Sequence, residues 1–252
     1  FKVDYMKKIA IIGGTGGQGT GLALRWARAG HEIYIGSREE SKACASADNL
    51  KNICTDVACS LMEIERSDIQ TIKEKIPEAK ISGFDNLEAA KRADIILISV
   101  PYSFLIPTIS SIKEVLTEGK IIISVVVPLS TAVGGKATTI ISPWEGSAAE
   151  VIQSIVPENV QVISAFQNLS ADRLSDLAKP VDCDVIICGG SKEVRKEIME
   201  LANDINGARA IDGGPLQNAR LVEPITALLI GMNIRYKVKE GMGIRFTYLP
   251  EK

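Results

Sequence analysis

Apolar residues along this chain fall into two kinds of register. Short, nearly unbroken β-rich runs stand at Lys8 to Ile12, Ile33 to Ile35, Ile95 to Val100 and Ile121 to Val127. Their length and continuity predict strands covered on both faces. Between them apolar positions recur at helical spacing, first as Leu22, Ala23, Trp26 and Ala27, closed by Gly30. Further helices are expected from Glu39, within Cys54 to Lys80 with a stop before Pro77, over Asn86 to Arg92, around Ser110 to Leu116, over Ser191 to Asn206 and over Leu221 to Ile234. Ser147-Ala148-Ala149-Glu150 has the capping-box form that opens a helix. Shorter strands are expected at Ile81, Val160 to Ala165, Asp184 to Cys188 and Arg209 to Ile211, with Gly243 to Leu249 as an edge strand. Strands alternating with helices in this way predict an α/β, doubly wound parallel sheet. Pro128 to Gly146 reads as a loop long enough to be functional, and a domain change is expected near residue 140.

Composition narrows the partners. The 252 residues are 46% apolar and carry a formal net charge of -2, with no basic block. A nucleic-acid partner is therefore not expected, since phosphate backbones require clustered Lys and Arg. The apolar runs stop well short of the ~18 residues a membrane span needs. No apolar leader with a small-residue cleavage site precedes the first strand, so a cytoplasmic location is expected, with Met6 read as a start and Phe1 to Tyr5 as an extension. The five cysteines, Cys44, Cys54, Cys59, Cys183 and Cys188, form no Cys-x-x-Cys pair and read as reduced thiols, with no metal site expected. A single histidine, His31, excludes a catalytic triad or a His-rich metal centre. Its place after Gly30 predicts a solvated loop residue.

Candidate chemistry begins at the first strand. Gly14-Thr15-Gly16-Gly17-Gln18-Gly19 satisfies G-x-G-x-x-G with a strand before it, a helix after it and a second strand ending about twenty residues later. That context is the Rossmann-type dinucleotide fingerprint: Gly14 for a tight turn, Gly16 for backbone access to the pyrophosphate, Gly19 for close helix packing. The helix N-terminus then receives the phosphates. Where an NAD site would place a carboxylate, the second strand ends in Gly36-Ser37-Arg38. Ser37 can donate to a 2′-phosphate and Arg38 can clamp it with a planar fork, so NADP is expected over NAD. Lys42, four residues past Arg38, could add a second positive charge. Ser99-Val100-Pro101-Tyr102 and Val127-Pro128-Leu129-Ser130-Thr131 follow the fourth and fifth strands at the carboxyl edge. The first either borders the nicotinamide ribose or simply ends a strand.

These motifs, with Ser147 to Glu150, Val162-Ile163-Ser164-Ala165, Gly214-Pro215-Leu216 and Arg220-Leu221-Val222-Glu223 in order, resemble the archaeal-type NADPH-dependent reductases of coenzyme F420 over nearly the whole chain from Met6. The resemblance implies reversible hydride transfer between a reduced 5-deazaflavin and NADP. It also implies an NADP-binding Rossmann domain over residues 6–145, a smaller C-terminal domain over 146–252, and a homodimer. By position, Thr15, Gln18, Ser37, Arg38 and Lys42 would bind NADP, Val100 and Pro101 would lie near the nicotinamide, and Gly214, Pro215 and Leu216 would border the deazaflavin. Some members carry histidine where this chain has Gln167 and a second basic residue where it has Glu39. Gln167 could still hydrogen-bond a deazaflavin carbonyl, or be a polar loop residue. The Glu39 departure leaves the 2′-phosphate leaning on Arg38. Hydride exchange between two cofactors requires alignment rather than a positioned acid and base, so no catalytic side chain is expected. Two other readings remain at this stage: an NADP-dependent imine or carbonyl reductase on the same fold, and a non-enzymatic NADP-binding redox sensor.

Overall fold

The β-branched runs become the strands of one sheet in the computed structural model, which describes residues 6–249. The extension read at Phe1 to Tyr5 lies outside the described residues. The strands are β1 (Lys8–Ile12), β2 (Glu32–Ser37), β3 (Ile81–Asp85), β4 (Ile95–Ile98), β5 (Ile121–Ser124), β6 (Gln161–Ser164), β7 (Cys183–Gly189) and β8 (Ala208–Gly214). Their order is β3-β2-β1-β4-β5-β6-β7-β8, parallel throughout except between β6 and β7. The expected doubly wound α/β fold is therefore present, with one antiparallel step. Strand order reverses beside β1, where β2 lies on one side and β4 on the other, and that switch point opens a crevice at the carboxyl edge.

The helices are α1 (Gly17–Arg28), α2 (Glu40–Leu61), α3 (Ile69–Lys75), α4 (Asn86–Arg92), α5 (Leu105–Ile112), α6 (Ala148–Ile155), α7 (Ala171–Ser175), α8 (Lys192–Asn203), α9 (Ala219–Val222) and α10 (Ile225–Tyr236). The continuous strands face two cores, as their side-chain alternation requires. Ile9, Ile11 and Leu97 join Leu22, Trp26 and Phe166 on one face. Ala10, Ile12 and Ile98 join Leu105, Ile109 and Ile152 on the other. Trp26 and Phe166 meet edge to face, with centroids 5.4 Å apart and rings at 84°.

Four expectations need correcting. The helix expected around Ser110 to Leu116 begins earlier, at Leu105, because Pro107 falls in its first turn, where a missing N–H costs nothing. The helix expected over Leu221 to Ile234 is broken into α9 and α10, with Pro224 immediately before the second. Gly243 to Leu249 forms no strand. It is hooked instead by Asp184, whose backbone N–H donates to the Ile244 carbonyl at 2.8 Å and whose carboxylate accepts from the Phe246 N–H at 2.6 Å and Arg245 at 3.0 Å. His31 is buried rather than solvated: Nδ1 accepts the Lys7 N–H at 3.1 Å, which leaves the proton on Nε2, 3.1 Å from the Asp204 carboxylate.

Candidate functional site

The fingerprint turn sits where β1 ends. Gly13, one residue before the expected motif, takes the left-handed conformation at φ +79°, and a Cβ there would lie 2.5 Å from the Ser99 carbonyl oxygen. Gly14 belongs to the same tight turn, as expected: its N–H donates to the Ile11 carbonyl oxygen at 3.1 Å and a Cβ there would lie 2.7 Å from that oxygen, so both residues need to be glycine. Gly19 behaves as expected, with a Cβ position 3.1 Å from the Gly14 Cα. At Gly16 a Cβ would meet only the Gly13 carbonyl oxygen, at 3.6 Å, so its side faces open space. Gly16 is also the N-cap of α1, and no side chain caps that helix end. Its first residues, Gly16, Gly17 and Gln18, line the crevice, and an uncapped helix start is suited to anionic oxygens.

Two clefts share this edge. The first, of about 500 Å³, is lined by Thr15, Gly16, Ser37, Arg38, Lys42 and Asn86, and by Ser99 to Pro101 on the opposite side. The second, of about 440 Å³, holds Gln18, Tyr102, Val127, Leu129, Gln167 and Thr226. They meet at Gly16 and at Ser99, Val100 and Pro101, which line both. A long ligand in the first cleft and a planar one in the second would thus touch across the Val100-Pro101 step.

The predicted NADP residues are brought together with two qualifications. Gln18 lines the second cleft, and its Nε2 donates to the Phe166 carbonyl at 3.0 Å, tying the fingerprint helix to the segment after β6. Lys42 reaches the first cleft, but its ammonium is 2.7 Å from the Glu39 carboxylate, which partly neutralises the second charge expected there. Ser37 lies beside it, its hydroxyl accepting the Glu39 N–H at 3.3 Å.

Gln167 is buried in the second cleft. Its Nε2 donates to the Ser124 carbonyl at 3.3 Å and to the Ser164 hydroxyl, while Oε1 has no partner. Since the Ser124 carbonyl can only accept, the amide orientation is set and the orphan is an acceptor. Phe166 reaches this geometry through a left-handed φ of 71°, and Thr226 Oγ1 donates to the Gln167 carbonyl at 2.9 Å. Such strain in a fully buried aromatic residue is held only where surrounding contacts over-determine it. By contrast, Gly214, Pro215 and Leu216 line neither cleft: Gly214 ends β8, the outermost strand, Pro215 and Leu216 follow it, and Leu216 packs inward against the second core.

Sequence reasoning missed Asn86, Phe104 and Thr226. Asn86 enters the first cleft because β3 pairs with β2, setting Asp85 against Ser37, and its Oδ1 is a second buried acceptor without a partner. Its only local signal is its place directly after a strand. Phe104 follows Ser99-Val100-Pro101 closely enough to have been drawn into the same edge. Thr226 stands 59 residues from its Gln167 partner and has no local signal at all.

The family described as NADP oxidoreductase, coenzyme F420-dependent, matches residues 8–128. Over 242 residues the chain is 46% identical to the F420-dependent NADP reductase of Methanocaldococcus jannaschii, covering 96% of this chain and 99% of that one. It is 41% identical over 245 residues to the F420-dependent NADP reductase of Methanothermobacter marburgensis, covering 97% and 100%. The crystal structure of a candidate F420-dependent NADP reductase from Arthrobacter sp. FB24 superposes with a TM-score of 0.69 at 22% identity, over 92% of this chain and 95% of that one, a likeness of fold. With identity above 40% sustained over almost its full length, the chain belongs to the F420-dependent NADP reductase family.

Proposed function

We infer that this protein catalyses reversible hydride transfer between reduced coenzyme F420 and NADP, yielding oxidised F420, NADPH and a proton in the forward sense. The observation that carries the reading is the pair of clefts meeting at Gly16 and Val100-Pro101, each holding a buried acceptor without a partner. The two cofactors supply the redox chemistry, a hydride leaving a reduced deazaflavin carbon for the nicotinamide ring.

The chain's own residues bind and align. The open side of Gly16 and the uncapped start of α1 receive the pyrophosphate, Thr15 closes the turn above it, and Gly19 keeps α1 tight against β1. Ser37 and Arg38 meet the 2′-phosphate, with Lys42 shared between that anion and Glu39. Val100 and Pro101 form the step against which the two reacting rings are registered. Gln167 holds the deazaflavin by a bond opposite in sense to the one expected: its donor is spent on Ser124 and Ser164, so Oε1 accepts an N–H of the pyrimidinedione ring rather than donating to a carbonyl. Residues 6–145 then carry NADP, while residues beyond 146 contribute Gln167 and Thr226 to the deazaflavin wall. No group is required to move a proton at the reacting carbons, and His31 lies away from both clefts. The active form is read as a homodimer in the cytoplasm.

A single turnover with reduced F420 deuterated at carbon 5 tests the reaction. Direct transfer places the label at carbon 4 of NADPH, on one face only. Loss of the label to water overturns direct transfer, and turnover of an imine substrate without bleaching of F420 favours the imine-reductase reading.

A further inference from the structure

Arg38 is held by an aromatic ring. Its guanidinium carbon lies 5.5 Å from the centroid of Phe104, and both side chains line the first cleft. The nearest carboxylate in sequence, Glu39, is engaged with Lys42 at 2.7 Å. Arg38 directly follows β2 and Phe104 belongs to the short 3-10 turn Tyr102–Phe104 after β4, so the contact spans the crevice from one side of β1 to the other. Phe104 remains 48% exposed, far more than a ring placed there for core packing would be. A guanidinium held by a ring rather than by a carboxylate keeps its full charge and its N–H donors for an incoming anion.

We propose that Phe104 is a positioning residue for cofactor selection: its ring face holds the Arg38 guanidinium at the cleft, so that the fork is ordered before the 2′-phosphate arrives. The energetic logic is preorganisation, since a long side chain that is already ordered loses less freedom on binding. The proposal rests on the reading of Arg38 as the 2′-phosphate ligand. It predicts that Phe104 distinguishes nucleotides by a phosphate group it does not itself touch.

Calorimetric titration of the full chain with 2′,5′-ADP and with 5′-AMP tests it. Phe104→Leu should weaken 2′,5′-ADP by about three- to tenfold and 5′-AMP by less than about twofold, while Phe104→Tyr restores the wild-type ratio. Unaltered thermal unfolding of Phe104→Leu checks that the change is local. Arg38→Ala should weaken 2′,5′-ADP by about 10- to 150-fold, and adding Phe104→Leu to it should cost nothing more. If Phe104→Leu weakens both nucleotides alike, the ring stacks on adenine and the proposal is overturned. An unchanged ratio overturns it equally. If Arg38→Ala leaves 2′,5′-ADP binding intact, the phosphate-site reading itself falls, an outcome separable from the other two.

Discussion

Glu223 shows how much a single buried charge sets here. It is 1% exposed, and its two carboxylate oxygens accept the N–H groups of Ala148 at 2.8 Å and Ala149 at 3.0 Å at the start of α6. Burial pushes its pKa up to about 7, outweighing the lowering by those two bonds. In the unfolded chain the same group titrates near ~4.3. The folded state therefore binds this proton more tightly, and its contribution to stability is full at low pH and lost as pH rises from about 4.3 toward about 7. Urea unfolding across that range should show a decline on the order of 1–3 kcal/mol, and Glu223→Gln should flatten it. A slope unchanged in the variant would assign the pH dependence elsewhere. In sequence Glu223 closes the Arg220-Leu221-Val222-Glu223 motif before a proline with no sign of burial, and its value follows from where α9 is docked. His31 is the mirror case. A lone histidine after a helix-ending glycine reads as solvated, yet Asp204, 173 residues away, gives it a buried partner.

Among the elements, those with local chemistry were legible. α6 begins at Ser147, whose hydroxyl accepts the Glu150 N–H at 3.1 Å and donates to the Glu150 carboxylate at 2.9 Å, as the Ser-x-x-Glu spacing implied. Ser147→Ala should cost about 0.5–2 kcal/mol of unfolding free energy, read as a lower urea midpoint at constant slope. NADP affinity should not follow it. The paired Arg220 and Glu150, 2.6 and 2.8 Å apart at two contacts, cannot replace the cap, because Arg220 is 51% exposed and exposed ion pairs contribute little. Elements whose limits depend on proline were harder to read. Pro107 starts a helix by sitting in its first turn, and Pro224 divides two helices, though both occur inside equally apolar stretches.

In the molecule as a whole, the surface around α10 is left unfinished. α10 buries Ala227 and Leu229 yet exposes Leu228 at 62% and Ile234 at 68%, with Leu221 of α9 at 74%. Each such side chain forgoes about 1.5–3 kcal/mol of burial, which a second copy of the chain would recover. The loop 128–146 lies alongside, Thr138 Cγ2 coming within 3.8 Å of a Cβ position on Gly231, and it carries the fully exposed Trp144. Sedimentation at micromolar concentration should therefore give twice the 27.1 kDa chain mass, and Leu228→Glu combined with Ile234→Glu should give the single chain. A wild type found only at the single-chain mass removes the dimer.

Local chemistry wrote the parts of this protein that need only neighbours in the chain. The strand runs, the α1 stripe, the glycine turn and the Gly36-Ser37-Arg38 strand end were legible because each states its physical requirement within a few residues: a face to bury, a turn too tight for a Cβ, a missing carboxylate. Long-range docking wrote the rest. Pairing of β3 with β2 brings Asn86 beside Ser37, the strained Phe166 turns Gln167 into the second cleft, and α10 delivers Thr226 to it. Phe104 meets Arg38 only because β2 and β4 flank the same central strand. None of these contacts has a sequence period, since each is set by the closure of segments tens of residues apart. Gly214, Pro215 and Leu216 illustrate the converse: the chain leaves β8 there and turns back, so that Leu216 packs on the second core over Gly189 of β7, a position no local signal gives.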